Sequence, residues 1–270
     1  RNDNEITVKV DGKTDGGLGY GAEIDLEADT TNDVDSQGTN ASRTFTYLEG
    51  SFGRVELGGN KSVAATQRVD ASTIAVATGG INGSWVNFAN GTTAATRASN
   101  AGSLGANFIT TAKLAGEHGS FTRAGDESTY NATKVSYYTP KFSGFQAGVS
   151  YTPQLDDRGQ TMTSSDTASV SDVIDLALGY SNTFSGGYKL AAAATYERGQ
   201  GEGLAGPSGF GTDDIRAWNA GATLGWQGFS VAASYGRNTD SGIADVNGSY
   251  WTAGLGYAAG PVGLSATYID

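Results

Sequence analysis

The sequence contains no cysteine in its 270 residues and only one histidine, one methionine and four prolines. The lack of cysteine fits a protein that crosses an oxidising periplasm unfolded, although many cytosolic chains also lack it. Without a His/Cys cluster, His118 has no partners for metal binding or for Ser/His/Asp catalysis. We therefore predict that His118 is a loop surface residue and that the chain is not an enzyme.

Long apolar runs are also missing. No stretch approaches the 18 or more apolar residues of a transmembrane helix, which excludes a helical membrane protein but not a barrel, whose strands alternate. A formal net charge of −11 argues against nucleic acid as a partner. Aromatic residues make up 10% of the chain and argue against simple disorder.

What the chain does contain is alternation with a period of two. Residues 134–153 are the clearest case, because two alternating runs flank Pro140 and the pair Ser143-Gly144, which predict a tight turn. One face of this hairpin is apolar with aromatic residues near its ends, and the other is small and polar. A soluble hairpin would bury the apolar face in a core, whereas a transmembrane barrel would turn it to lipid.

The same pattern predicts about 12 strands in a single domain over residues 1–270. Tight turns alternate with long polar loops, as in an up-and-down barrel that crosses an outer membrane. The alternative to a barrel is a soluble β-sandwich, in which two bulky faces pack against each other. The predicted strands outside the 134–153 hairpin are Glu5–Lys13, Leu18–Ala28, Arg43–Gly50, Arg54–Gly58, Asp172–Thr183, Tyr188–Glu197, Asp214–Trp226, Phe229–Arg237, Ser249–Tyr257 and Pro261–Asp270.

Residues 59–133 interrupt this rhythm. Gly, Ala, Asn, Thr and Ser dominate there, and connections of this length are uncommon in a compact domain unless they are functional. The chain begins on the polar run Arg1-Asn2-Asp3-Asn4 without a visible signal peptide and ends inside an alternating strand. We therefore expect both ends to be cut from a longer protein.

Four stretches together resemble the general porins of Gram-negative outer membranes, and most closely the alphaproteobacterial group. They are KTDGGLGYGAEIDLEAD at 13–29, YLEGSFGRVELGGN at 47–60, ATGGINGSW at 77–85 and KVSYYTPKFSGFQAGVSYTP at 134–153. The resemblance implies a sixteen-stranded transmembrane antiparallel barrel, of which the first strand and the last three are absent here. It also implies a homotrimer among outer-membrane lipid and lipopolysaccharide, and passage of small hydrophilic solutes. Residues 59–133 occupy the place of the loop that folds into the lumen and narrows it.

Strand parity, combined with this resemblance, predicts the functional residues. Arg43 shares its parity with Phe45, which we predict to face outward, so Arg43 is expected at the lipid rim. For each charged residue, a solvated side chain without a special role is the competing interpretation. The predicted pore-lining residues are Lys9, Glu23, Asp25, Glu27, Arg54 and Glu56; the constriction-loop residues are Arg68, Asp70, Arg97 and Arg123; and the lipid-facing girdle is Tyr137, Tyr151, Trp218, Trp226, Trp251 and Tyr257.

Other candidate sites are weaker. The acidic pairs Asp126-Glu127 and Asp156-Asp157 offer oxygen ligands for calcium, but neither has an EF-hand spacing, and a solvated pair is the favoured interpretation. No other cofactor is expected. The predicted function is a passive diffusion channel with a weak preference for cations. A barrel with a plugged lumen that serves as an adhesin or structural protein is the alternative, and a soluble carbohydrate-binding sandwich is a third.

Overall fold

The computed structural model describes residues 5–27, 41–76, 132–155, 170–201, 213–241 and 247–270, without the side chains of Glu27 and Ser241. The strands are β1 (Glu5–Lys13), β2 (Gly19–Glu27), β3 (Ala41–Gly50), β4 (Gly53–Gly59), β5 (Thr133–Tyr138), β6 (Phe145–Gln154), β7 (Val170–Thr183), β8 (Lys189–Gly201), β9 (Ile215–Trp226), β10 (Phe229–Ser241), β11 (Gly248–Ala259) and β12 (Val262–Ile269). Two short helices, α1 (Val63–Gln67) and the 3-10 helix Ala71–Ile74, lie between β4 and β5.

The strands form one sheet in which each strand pairs with its neighbours in the sequence. The order runs from β1 to β12 without a crossover, and every pair is antiparallel. The prediction of an up-and-down all-β architecture is therefore confirmed. Within the described residues, no helix is long and apolar enough to cross a membrane.

Tight turns join the hairpins at one end of the sheet. Between β9 and β10, Gln227 and Gly228 both have positive φ, 47° and 86°, and between β5 and β6, Ser143 and Gly144 do the same, at 49° and 89°. Positive φ at both central residues is the mark of the type I′ turn, whose twist matches that of a β-hairpin. The strand ends that the long connections join all lie at the opposite end, so the two ends of the sheet differ as predicted.

The sheet has two unlike faces. We call the face with Ile24, Leu57, Leu224 and Leu255 the outer face, because these large apolar side chains are exposed. The inner face carries mainly glycine, alanine, hydroxyl and charged side chains, with some buried apolar ones such as Tyr138 and Ile215, and the described connection between β4 and β5 lies on it. An exposed apolar face behind a polar one is the arrangement of a barrel wall between lipid and water.

Aromatic side chains lie at two levels of the outer face. On β9 these are Trp218 and Trp226, eight residues apart, which is about 26 Å along a strand and close to the roughly 25 Å height of an outer-membrane apolar band. Several ring tips are hydrogen-bonded: Trp226 Nε1 donates to Gly186 O at 3.2 Å, and the Tyr137 hydroxyl donates to Phe52 O at 2.6 Å. Tyr151, Trp251 and Tyr257 are also exposed. Their contact with lipid stays a prediction.

Ring pairs connect neighbouring strands at both levels. At the end of the sheet with the tight turns, the ring pairs join neighbouring strands that no tight turn connects. At the opposite end, the ring pairs join β9 to β10 and β11 to β12. Ring centroids lie 4.6–5.5 Å apart, a spacing typical of favourable aromatic contacts. The pairs are Phe145–Tyr180, Tyr188–Trp226, Phe229–Tyr257, Trp218–Tyr235 and Trp251–Tyr268.

The predicted orientation of β3 was wrong. Phe45 is only 6% exposed and pairs with Glu23, while Arg43 pairs with Asp25, so both side chains lie on the inner face. Register explains the error, because a shift of one residue in parity moves every side chain of a strand to the other face. Several strands also continue past their predicted ends. For example, β8 reaches Gly201 and β10 reaches Ser241, because cross-strand pairing extends towards the long loops.

Candidate functional site on the inner face

Residues 60–76, which we call the crossing segment, run across the inner face. Its first helix, α1, contacts β5 to β8, and the following 3-10 helix contacts β9 to β12. One short segment therefore spans eight strands of the wall. The segment is the beginning of the long connection between β4 and β5, and residues 77–131 lie outside the described residues.

Side-chain caps explain the two helices of the crossing segment. Ser62 precedes α1, and its hydroxyl accepts a hydrogen bond from Ala65 N at 3.4 Å. Asp70 precedes the 3-10 helix and accepts from Ser72 N at 2.7 Å, while Asp70 N donates to the Thr73 hydroxyl at 3.2 Å. Ser and Asp at these positions satisfy amide groups that have no partner inside a helix.

Three hydroxyl groups of the wall bind the backbone of the crossing segment. Val63 N donates to Ser150 Oγ on β6 at 2.9 Å. Ala71 N donates to Thr252 Oγ1 on β11 at 3.2 Å, and Val76 N donates to Ser265 Oγ on β12 at 2.9 Å. The segment is thus hydrogen-bonded to the wall near its start, its middle and its end.

Glycines of the wall leave room for the crossing segment. A Cβ placed on Gly221 of β9 would lie 2.0 Å from Val69 O, and one on Gly148 of β6 would lie 2.9 Å from Val63 Cβ. On β11, a Cβ on Gly254 would meet Ala71 Cβ at 3.3 Å. Real Cβ atoms essentially never approach another heavy atom closer than 3.0 Å. With the crossing segment in its observed position, residues 221 and 148 must therefore be glycine.

Lys134 joins the two ends of the long connection. Its ammonium group donates to Asn60 O, just after β4, and to Ala132 O, just before β5. The side chain is fully buried, with 2% of its surface exposed. Sequence analysis did not single out Lys134, although its alternation with Val135 and Tyr137 places it on the inner face.

Two buried acids lie on the inner face of β7 and β8. Asp175 of β7 pairs across the sheet with Ser150 of β6 and with Glu197 of β8, and both carboxyl groups are fully buried. Ala64 of α1 packs on Ala217, the next inner residue of the row after Glu197. Sequence analysis did not single out these acids, although their position in the alternation of β7 and β8 places them on the inner face.

Arg54 forms the centre of a second charged cluster. Its guanidinium lies 3.7 Å from the centre of the Tyr47 ring, and the ring lies over Gly21 on the inner face. Arg54 Nε donates to Glu56 at 2.6 Å and Nη1 to Glu49 at 2.8 Å. Stacking and two carboxylates hold the plane of this guanidinium in one orientation.

Arg43 does not lie at the outer rim, where its predicted parity had placed it. Its Nε donates to Asp25 Oδ2 at 2.7 Å, and its Nη2 lies 3.5 Å from Glu23 Oε1. Asp25 also pairs across the sheet with Thr7, and Glu23 with Lys9. The inner face therefore brings together Lys9, Glu23, Asp25 and Arg43, with an arginine that the sequence interpretation had assigned to the other side.

The charged residues of the crossing segment bind each other. Arg68 Nε donates to Asp70 Oδ2 at 2.8 Å, and both side chains are largely buried. Asp70 also caps the 3-10 helix, so it has a structural role. The other two predicted loop charges, Arg97 and Arg123, lie outside the described residues, and so do both candidate calcium pairs and His118. Among the described residues, no group of three or more His, Cys, Asp or Glu side chains could hold a metal ion.

Comparison with protein families and proteins of known sequence gives concordant matches. A family model described as Gram-negative porin matches residues 1–270. An uncharacterised protein of Rickettsia conorii is 27% identical over 92% of this chain, and one of Rickettsia felis is 28% identical over the same share. The chain spans 66% of the length of each of these two relatives.

Solved structures share the fold. Salmonella typhi OmpF, in a complex with daunomycin, superposes with a TM-score of 0.59 at 15% identity, over 100% of this chain and 72% of that one. A mutant of the Rh. blastica porin superposes with a TM-score of 0.53 at 15% identity, over 98% and 73% of the two chains. The sheet is therefore of the porin barrel type.

Proposed function

We propose that this chain, which belongs to the Gram-negative porin family, is part of a passive outer-membrane channel for small hydrophilic solutes and ions. One observation supports this most strongly: a polar inner face, crossed by residues 60–76, lies behind an exposed apolar outer face. Residues 1–270 form a single barrel domain in this proposal, and residues 59–133 narrow its lumen. The family and the fold are those of non-enzymatic channels.

Planar-bilayer recording on the full-length protein tests the channel directly. We expect stepwise, ohmic insertion events after dilution from detergent. A barrel with a plugged lumen would insert without conducting, and a soluble sandwich would stay in solution without detergent. Either result would contradict the proposal.

A weak preference for cations is the second part of the proposal. On the inner face of β1 to β4, acidic side chains outnumber basic ones, and a row of like charges raises the local concentration of counterions. The acids are Glu5, Asp11, Glu23, Asp25, Glu49 and Glu56, and the bases are Lys9, Lys13, Arg43 and Arg54. The screening length is about 8 Å at about 0.15 M salt, so the effect should be larger in dilute salt. Arg43 moderates the effect, because it binds Glu23 and Asp25.

Neutralising Glu23 and Asp25 is expected to reduce this preference. The double change Glu23→Gln and Asp25→Asn removes two acids and also leaves the Arg43 guanidinium without either of these carboxylates. The reversal potential under a KCl gradient should therefore shift towards anion preference, most strongly in dilute KCl. Asp15→Asn, in the exposed turn after β1, changes the charge by one unit away from the inner face and should leave the potential unchanged. Anion preference of the parent channel in dilute KCl would contradict the proposal.

We also propose a homotrimer, surrounded by outer-membrane lipid and lipopolysaccharide, with the outer faces of the early strands at the contact. Val8, Ile24 and Leu57 are exposed there, and within the described residues no ring pair joins β1 to β5. Phe45, which was predicted to face outward, is not part of this surface, because it lies on the inner face. Native mass measurement in mild detergent should give three copies, and the change Leu57→Arg should convert them to monomers. A monomeric parent protein would refute this assembly.

A further inference from the structure

Gly221 of β9 lies under the middle of the crossing segment. A Cβ at this position would lie 2.0 Å from Val69 O, 3.0 Å from Val69 C and 2.7 Å from Ser234 Cβ on the next strand. Val69 belongs to the short link between α1 and the 3-10 helix, and its side chain is buried. The backbone of the segment therefore rests directly on the backbone of the wall.

We propose that Gly221 is a positioning residue that sets the width of the channel, by letting the crossing segment lie flat against the wall. This inference rests on the proposed channel function, and it makes one residue of the wall a determinant of the channel's conductance. The contact is with a main-chain carbonyl, so no rotamer change can relieve it. Any side chain at Gly221 must move the segment itself or the strand beneath it.

The hydrogen bonds on either side determine the direction of this movement. Val63 N is bound to Ser150, and Ala71 N is bound to Thr252, so the segment is attached to the wall before and after Val69. The wall strand β9 is paired on both sides along its length. Relief of the clash therefore lifts Val69 away from the wall and into the space that solutes would use.

The required movement is large for such a narrow space. Ordinary van der Waals contact of a Cβ begins at 3.4 Å, so even alanine moves Val69 O by about 1.4 Å from its 2.0 Å position. Valine adds two methyl groups in the same direction. The conductance of a channel falls with the area of its narrowest section, so we expect a graded loss from glycine to alanine to valine.

The test compares Gly221→Val with Gly225→Val by single-channel recording on the full-length protein. Gly225 lies on the same strand and the same face, and a Cβ there meets no atom closer than 3.7 Å. We expect Gly221→Val to reduce the conductance to about half or less, Gly221→Ala to lie between this variant and the parent, and Gly225→Val to match the parent. Parental conductance in Gly221→Val, or equal losses in both valine variants, would overturn the inference.

A disulfide cross-link tests whether the crossing segment lies against the wall. This test depends neither on conduction nor on the folding of the valine variant. The chain has no cysteine, and a Cβ on Gly254 would lie 3.3 Å from Ala71 Cβ, close to the roughly 3.5–4.5 Å of disulfides. In the double variant Ala71→Cys and Gly254→Cys we expect a disulfide after mild oxidation, detected by the loss of free thiols. The absence of a cross-link would overturn the inference. If the parent does not conduct while the cross-link forms, the channel function fails and the docked position stands.

Discussion

Arginine in place of Ala222 is expected to destabilise the folded protein in lipid by about 2–4 kcal/mol, the cost of a basic side chain near the middle of a barrel's lipid face. Ala222 lies on the outer face of β9, four residues from Trp218 and four from Trp226. The two tryptophans mark the rims of the apolar band, so the new guanidinium would lie as far as the strand allows from water on either side. Equilibrium unfolding in urea, with the protein folded into lipid vesicles, measures the difference.

The neighbouring residue is the matched control for this change. Thr223 lies on the inner face, where an open cavity is lined by Ile74, Lys189 and Ser230. Arginine at Thr223 should therefore stay hydrated and cost under about 1 kcal/mol, as polar changes on the lumen side do. If Thr223→Arg proved the costlier of the two, the assignment of the two faces would be reversed.

Replacement of Lys134 by methionine should have the largest effect on stability, about 3–5 kcal/mol, as expected when one partner of a buried charged group is removed. The methionine side chain is similar in length but cannot donate to Asn60 O or Ala132 O, which lie at the two ends of the long connection. The buried carboxyl group of Asp175 would also lose a nearby positive charge. Urea unfolding measures the loss, and protease cleavage within residues 77–131 should become faster.

Lys141→Met is the control, because Lys141 is exposed in the tight turn between β5 and β6. Both variants lose one positive charge and gain the same side chain. A change within about 0.5 kcal/mol is expected for this surface position. Equal stability of the two variants would show that the ammonium of Lys134 does not hold the ends of the connection.

Much of this fold could be predicted from the alternation of side chains. The strands, the tight turns and the apolar outer face all follow from local sequence, because a strand shows its two faces within a few residues. Parity is less certain where both faces carry mixed residues. In β3, Phe45 and Arg43 share a face with Tyr47, and only the cross-strand partners Glu23 and Asp25 determine which face is inward.

The crossing segment could not have been predicted in this detail. Its contacts join residues more than 80 positions apart, such as Val63 with Ser150 and Ala71 with Thr252. The small wall residues were interpreted as a water-exposed surface. Alternation does not distinguish such a surface from one on which another part of the chain packs. Lys134 shows the same limit, since a lysine on a polar face is expected to be solvated until its two carbonyl partners are known.

The outer-face ring pairs have a consequence for the order in which strands detach. Each interface among β8 to β12 has an aromatic contact at the end where no tight turn connects its two strands. Separating two such rings costs about 0.5–1.5 kcal/mol beyond the effect of their buried area. Among the described residues, the interfaces from β1 to β5 have no such contact. We therefore expect the early interfaces to separate at a lower urea concentration than the interfaces among β8 to β12.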